Sequence, residues 1–465
     1  MRHYTEAVAP VRRTDSGTIL IGGRPVTYEL IAEDCRIPAE DGTEAFDIFT
    51  FSYIRTDGER KDGRPVLFAF NGGPTSSSAW LHLGFYGPRI LVLPEEGLPD
   101  QTLSGQLRDN AECLLDLCDI VMLDPVNTGF SRLLDEEYAG EFLGDHADAK
   151  MAAKFIRTWL QRHERQDSPV FLSGESFGST RASLLADLLA DDTDLRGIAH
   201  IGPGYSSNEE ALRIFKDLPP AAATHWYYHR REEAALREVL DDCYEFLFSC
   251  YVPEMYRGGT SVLPEARQRE LADRLEQLTG LPAEYYLKNE LKVNRRDFRR
   301  MILADRGLKV GDFDTRFTLP LDAEGEPFMS AYGPIVDAAM DALLEETGVG
   351  KVRDYRPWSH EGDPEWDWFY SASPGIVGML SQEISMADAA RSAMEKRPEM
   401  RLFFGTGVYD TVATIENTRY SVTHTGIDMS RVELHEYESG HAVYADEPSR
   451  KQLAADIRAF IEALI

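Results

Sequence analysis

The sequence predicts an α/β protein, a mostly parallel sheet covered by helices on both faces and interrupted by a helical insertion. The first sign is a set of short, continuous apolar runs, the pattern of strands buried on both faces: Val66 to Phe70, Asp119 to Leu123, Val170 to Ser173, Ile198 to Ile201 and Arg401 to Phe404. The second is their alternation with helical patterns, notably Asp145 to His163 and Thr180 to Leu189, which favours crossover connections and parallel pairing. The third is a stretch from about Tyr205 to about Phe317 where β runs disappear.

The N-terminal part reads differently. Thr18 to Ile21 and Val26 to Ile31 flank Gly22-Gly23. Phe46 to Arg55 alternates and is aromatic-rich, as antiparallel strands at a sheet edge are. Within the insertion, Glu232 to Phe248, Pro264 to Thr279 and Arg295 to Asp305 read as helices. The plain reading of such an insertion is extra packing mass, and its functional reading, the one expected here, is a lid over a site. The α/β texture resumes near Tyr332 and closes on a helix from Ser449 to Ile465.

The chain's 465 residues carry 49 Lys and Arg against 79 Asp and Glu, a net charge of −30. That balance repels nucleic acid and anionic lipid, so neither is an expected partner. Hydrophobic content of 43% excludes a largely disordered chain. The five cysteines cannot all pair within the chain and show no framework spacing, so they are expected as reduced, mostly buried thiols. Neither a signal-like apolar segment nor a membrane-length apolar run occurs. The expectation is a soluble, cytoplasmic protein.

The sharpest chemical signal is Gly174-Glu175-Ser176-Phe177-Gly178. It matches G-x-S-x-G between an apolar run and a helical pattern, the strand–turn–helix setting of a nucleophile elbow. A serine hydroxyl needs a base and an orienting acid near neutral pH. Asp410 follows the run RLFFG and His441 follows VELHEY, in the order Ser, Asp, His and at the carboxyl ends of strands. His435 and His424 are weaker candidates, one inside a strand and one in a polar stretch. Asn71-Gly72-Gly73-Pro74, directly after VLFAF, can present a backbone N–H to a developing oxyanion, with the N–H of Phe177 as second donor. His435-Glu436 with His441 misses the H-E-x-x-H spacing, and no phosphate loop is present, so no metal or cofactor is expected.

These segments resemble the serine carboxypeptidase family. NGGPTSSS (Asn71 to Ser78) resembles N-G-G-P-G-x-S-S, and DPVNTGFSR (Asp124 to Arg132) resembles D-x-P-x-G-T/A-G-F/Y-S. GESFG is similar to G-E-S-Y-G, while GVYD (Gly407 to Asp410) and SGHAVY (Ser439 to Tyr444) resemble the Asp and His segments. The resemblance, closest to bacterial members, implies an α/β-hydrolase fold: a mostly parallel mixed sheet flanked by helices, with a helical cap. The organisation expected is core over residues 1–204, cap over 205–325 and core over 326–465. It also implies release of C-terminal residues from peptides without a cofactor. Ser176 would be nucleophile, His441 base, Asp410 its orienter, and the N–H groups of Gly73 and Phe177 the oxyanion hole. Asn71 and Glu175 would recognise the substrate's terminal carboxylate, which a neighbouring Glu tolerates only by sharing a proton.

The chain departs from the family at three places. Thr75 replaces a usual Gly. Ser76 stands where many members have Cys, which fits a reducing compartment. Phe85 falls where secreted members carry a second Glu, leaving carboxylate recognition to Asn71 and Glu175. The partner is thus a peptide or, in the alternative reading, a small ester handled by an esterase or acyltransferase with the same triad.

Overall fold

The computed structural model describes residues 8–58, 63–94, 97–99, 101–204, 216–359, 366 and 386–465. The expected cap boundary at residue 205 lies outside them. The chain opens with three long antiparallel strands, β1 (Arg12–Ile21), β2 (Arg24–Pro38) and β3 (Glu44–Arg55). β1 turns into β2 through Gly22 and Gly23, whose φ values of +55° and +77° suit the left-handed turn that matches strand twist.

Six strands complete the run, β4 (Val66–Phe70), β5 (Asp119–Leu123), β6 (Val170–Glu175), β7 (Leu195–Ile201), β8 (Arg401–Gly407) and β9 (Val432–Tyr437). The sheet order is β1-β2-β3-β5-β4-β6-β7-β8-β9, with the short strand Arg132–Leu133 also paired to β3. From β5 to β9 every pairing is parallel. This is the mixed, mostly parallel sheet expected.

β3 was expected at the edge, and here the structure differs. β1 is the outer strand, and β3 is buried from Ala45 to Ile54. Its alternation separates two covered faces. Phe49, Phe51 and Tyr53 enter one core, and Phe46, Ile48 and Ile54 the other. Ser52, on the second face, accepts a hydrogen bond from the indole of Trp159 at 3.0 Å.

The helices that cover the sheet include α1 (Asp145–Arg162), α2 (Phe177–Leu189), α3 (Pro327–Glu346) and α4 (Glu447–Glu462). Leu343 and Ile335 of α3 and Ile457 and Phe460 of α4 pack on one face. Phe155 and Trp159 of α1 and Leu185 and Leu189 of α2 pack on the other. Burying both faces is what permits apolar runs without alternation.

Residues 218–310 supply almost all of a third buried cluster, drawn from helices such as Leu236–Phe246 and Glu265–Thr279. Two details correct the sequence reading. The helix expected from Glu232 to Phe248 spans Leu236–Phe246 and opens into a wider π-helical turn, Leu247–Tyr251. The insertion also ends in a small antiparallel pair, Leu308–Val310 with Thr318–Pro320, too short to leave a periodic signal. All five cysteines are free, and all but Cys250 are buried.

Candidate active site

The elbow owes its shape to close backbone packing. β6 ends at Glu175, α2 begins at Phe177, and Ser176 between them takes φ +57° and ψ −127°. A non-glycine residue held there stores about 1–3 kcal/mol of strain. The flanking glycines are required because a Cβ on Gly174 would lie 2.1 Å from the carbonyl oxygen of Gly178. One on Gly178 would lie 2.8 Å from the carbonyl oxygen of Phe70.

The loop after β4 rests directly on this elbow. A Cβ on Gly72 would sit 2.5 Å from the backbone nitrogen of Phe177. Buried Arg181 of α2 clamps the loop, donating to the carbonyl oxygens of Asn71 at 2.6 Å and Pro74 at 3.2 Å. Asp148 of α1 holds the same guanidinium at 2.5 Å. Ser76 closes the loop by donating from N and Oγ to the Gly72 carbonyl oxygen, at 3.1 and 2.9 Å. Serine in the family's Cys position therefore keeps a local tie. Thr75 is buried, and its carbonyl oxygen accepts from the Ser359 N–H at 2.8 Å, so it anchors the loop outward. Asp124 buttresses the loop by accepting from the Ser78 N–H at 2.8 Å.

Asp410 and His441 come together as expected. His441 Nδ1 and Asp410 Oδ2 are 2.6 Å apart, and both side chains are buried. The other carboxylate oxygen accepts from the Val412 and Ala413 N–H groups at 2.7 and 2.9 Å. Burial opposes a charge on His441, yet Asp410, with Glu175 and Glu326, carries its pKa above the ordinary 6.5. Ser176 and His441 line the same cavity. His441 Nε2 is buried without a hydrogen-bond partner among the described residues. An orphaned nitrogen there suits a base whose hydrogen bond to the nucleophile tightens as substrate arrives.

One segment unanticipated from sequence ties these two loops together. The His441 N–H donates to the Phe313 carbonyl oxygen at 2.7 Å, and the Thr411 N–H to that of Asp312 at 3.1 Å. Arg316 ion-pairs with Asp314 at 2.7 Å and Asp446 at 2.9 Å, and donates to the Glu438 carbonyl oxygen at 3.0 Å. Residues 312–316 carry no motif that would assign them a place at the site.

The remaining predicted residues also meet. Asn71 Nδ2 donates to Glu175 Oε2, while Asn71 Oδ1 accepts from the Leu81 N–H at 2.9 Å. A third member went unread inside SGHAVY. The Tyr444 hydroxyl donates to Glu175 Oε2 at 2.6 Å. Burial pushes the Glu175 carboxyl up to about 7, against the opposing pull of His441, Tyr444 and Asn71. Phe85 is buried and stacks on Tyr444, with ring centroids 6.0 Å apart.

The shared cavity, about 130 Å³, is walled by Gly73, Trp80, Phe313, Phe328, Met329 and Trp358 beside the polar groups. Among the described residues, Phe313 is the insertion's contribution to this wall. His435 and His424 do not line the cavity: His435 pairs loosely with Glu433 and Asp456, and His424 follows the helix Ile415–Thr423. Among the described residues, no three His, Cys, Asp or Glu side chains gather as metal ligands. No helix is long and apolar enough to cross a membrane among them.

The serine carboxypeptidase family pattern matches residues 42–243, a span holding Asn71, Glu175 and Ser176. Asp410 and His441 lie beyond it and stand on geometry. No curated protein matches the chain. Among solved structures, a prohormone-processing carboxypeptidase from Saccharomyces cerevisiae aligns at TM-score 0.54 and 11% identity, over 94% of this chain and 91% of that one. A proline iminopeptidase from Mycobacterium smegmatis aligns at TM-score 0.40 and 12% identity, over 92% and 98%. The first of these shares the architecture, so the chain has the α/β-hydrolase fold, and its first half carries the serine carboxypeptidase family pattern around the elbow.

Proposed function

We propose that the protein removes C-terminal residues from peptides through an acyl-enzyme on Ser176. The observation that carries this is Glu175, a buried acid beside the nucleophile, lining the cavity and held by Asn71. A carboxyl group kept protonated near neutral pH can share its proton with an incoming carboxylate, where an ionised one would repel it.

Ser176 attacks the scissile carbonyl while His441 Nε2 takes its proton, and Asp410 steadies the imidazolium. The oxyanion rests on the N–H groups of Gly73 and Phe177. His441 then hands its proton to the leaving amine, and water attacks the acyl-enzyme with His441 again as base. The apolar wall of Trp80, Phe313, Phe328, Met329 and Trp358 favours an apolar side chain next to the scissile bond. The five free thiols support a reducing, cytoplasmic setting.

A matched pair of peptides, one with a free and one with an amidated C-terminus, tests this by mass spectrometry. Stepwise trimming of the free acid alone is expected, and Ser176→Ala abolishes it, losing at least about 10⁴-fold in kcat. Turnover of simple esters with neither peptide trimmed would replace this reading with the esterase or acyltransferase alternative.

A further inference from the structure

We infer that Tyr444 is a specificity-determining residue, its hydroxyl holding Glu175 so that Oε1 is the oxygen offered to a substrate's terminal carboxylate; this rests on the carboxypeptidase reading above. The argument is one of donors and acceptors. The Leu81 N–H bond to Asn71 Oδ1 settles the amide's orientation, so Nδ2 faces Glu175 and donates. Tyr444 donates to the same oxygen, Oε2. An oxygen that already accepts two hydrogen bonds is poorly placed to carry a proton as well. The proton of neutral Glu175 therefore sits on Oε1, which has no hydrogen-bond partner among the described residues. Glu175 lines the cavity that holds Ser176. A carboxylate arriving there meets an O–H donor rather than a bare charge.

The tyrosine is itself locked in place. Its ring stacks on Phe85, and Gly84 lies so close that a Cβ there would sit 2.3 Å from ring carbon Cε2. Tyr444 also follows His441 by three residues, so one loop carries both the catalytic base and this clamp. The titratable groups facing Glu175 are His441, Asp410, Tyr444 and Tyr332. Among them only Tyr444 donates a hydrogen bond to its carboxylate.

The test compares kcat/KM across pH for an N-blocked free-acid dipeptide and for an acyl ester lacking any carboxylate, in wild type and in Tyr444→Phe. In the wild type the free acid should lose rate as pH rises past about 7, where Glu175 ionises, and the ester should not. Removing the tyrosine's donor disfavours the ionised form, so in Tyr444→Phe this alkaline limb moves to higher pH. The preference for free acid over ester at pH 6 falls about tenfold, mainly through KM, the scale of one hydrogen bond to a charged group. If Tyr444→Phe does not fold, Phe85→Leu, which loosens the ring, should move the limb in the same direction. A wild type without the alkaline limb overturns the carboxypeptidase reading and this one with it. A limb present in wild type and unmoved in the variants, or equal losses on both substrates, overturns the role of Tyr444 alone.

Discussion

The two halves of the site are held by different means. The nucleophile half is local. Ser176, the Asn71–Ser78 loop and α2 touch through backbone atoms, and the glycines at 72, 174 and 178 are there because nothing larger fits. Arg181 then caps the arrangement through two carbonyl oxygens. The acid–base half is assembled from a distance. The loops of Asp410 and His441 leave neighbouring strands, and residues 312–316, arriving from the insertion, bind both. Each half has one buried arginine in an ion pair, Arg181 with Asp148 and Arg316 with Asp314. The contrast teaches that the steric half tolerates little change in sequence, whereas the other relies on charge pairs that need only be matched.

The largest effect should come from the acid–base half's centre. Asp410→Asn keeps shape but leaves Nδ1 of His441 without a carboxylate, and kcat should drop about 10⁴-fold by the measure of triads elsewhere. A loss under tenfold in steady-state kinetics would place the orienting acid elsewhere.

The arginines sharpen the comparison directly. Arg316→Met and Arg181→Met each strand a buried carboxylate, so each should cost about 3–5 kcal/mol in denaturant unfolding. Their kinetic effects should differ. Arg181→Met loosens the oxyanion loop and lowers kcat without moving the pH profile. Arg316→Met loosens the His441 loop and changes the acid limb. Identical profiles would mean that the halves are not separable.

The pH dependence joins the halves. In the proposed mechanism His441 acts as a neutral base, and its pKa is raised, so activity is expected to climb only above the ordinary 6.5. In the same proposal Glu175 acts protonated, and its protonated share declines above about 7. Free-acid substrates should therefore show a narrow bell near neutrality, falling about tenfold per unit on the alkaline side, while esters rise to a plateau. Since the two groups face each other, the limbs belong to the pair. The smallest effect is Ser76→Ala, which frees one acceptor on the Gly72 carbonyl and should cost about 1 kcal/mol in thermal unfolding.

The strands that build the sheet could be read because burial on both faces leaves an unbroken apolar run. The edge could not. Phe46 to Arg55 alternates in aromatic content, but the alternation sorts residues between two cores rather than between core and water. Tyr444 was likewise visible as a letter and invisible as a ligand. Its partner Glu175 lies 269 positions away, and no spacing rule connects them.

Chemistry carried by contiguous residues was thus legible from the start: G-x-S-x-G needs its own glycines, and the order Ser176, Asp410, His441 follows from strands ending at one edge. Which oxygen of Glu175 accepts from Asn71 and Tyr444, which rings wall the cavity and which segment binds the His loop depend on contacts between residues far apart in the chain. Those contacts are set by how the packed layers bring loops within about 3 Å of one another, a distance that hydrogen bonds require and sequence spacing does not encode.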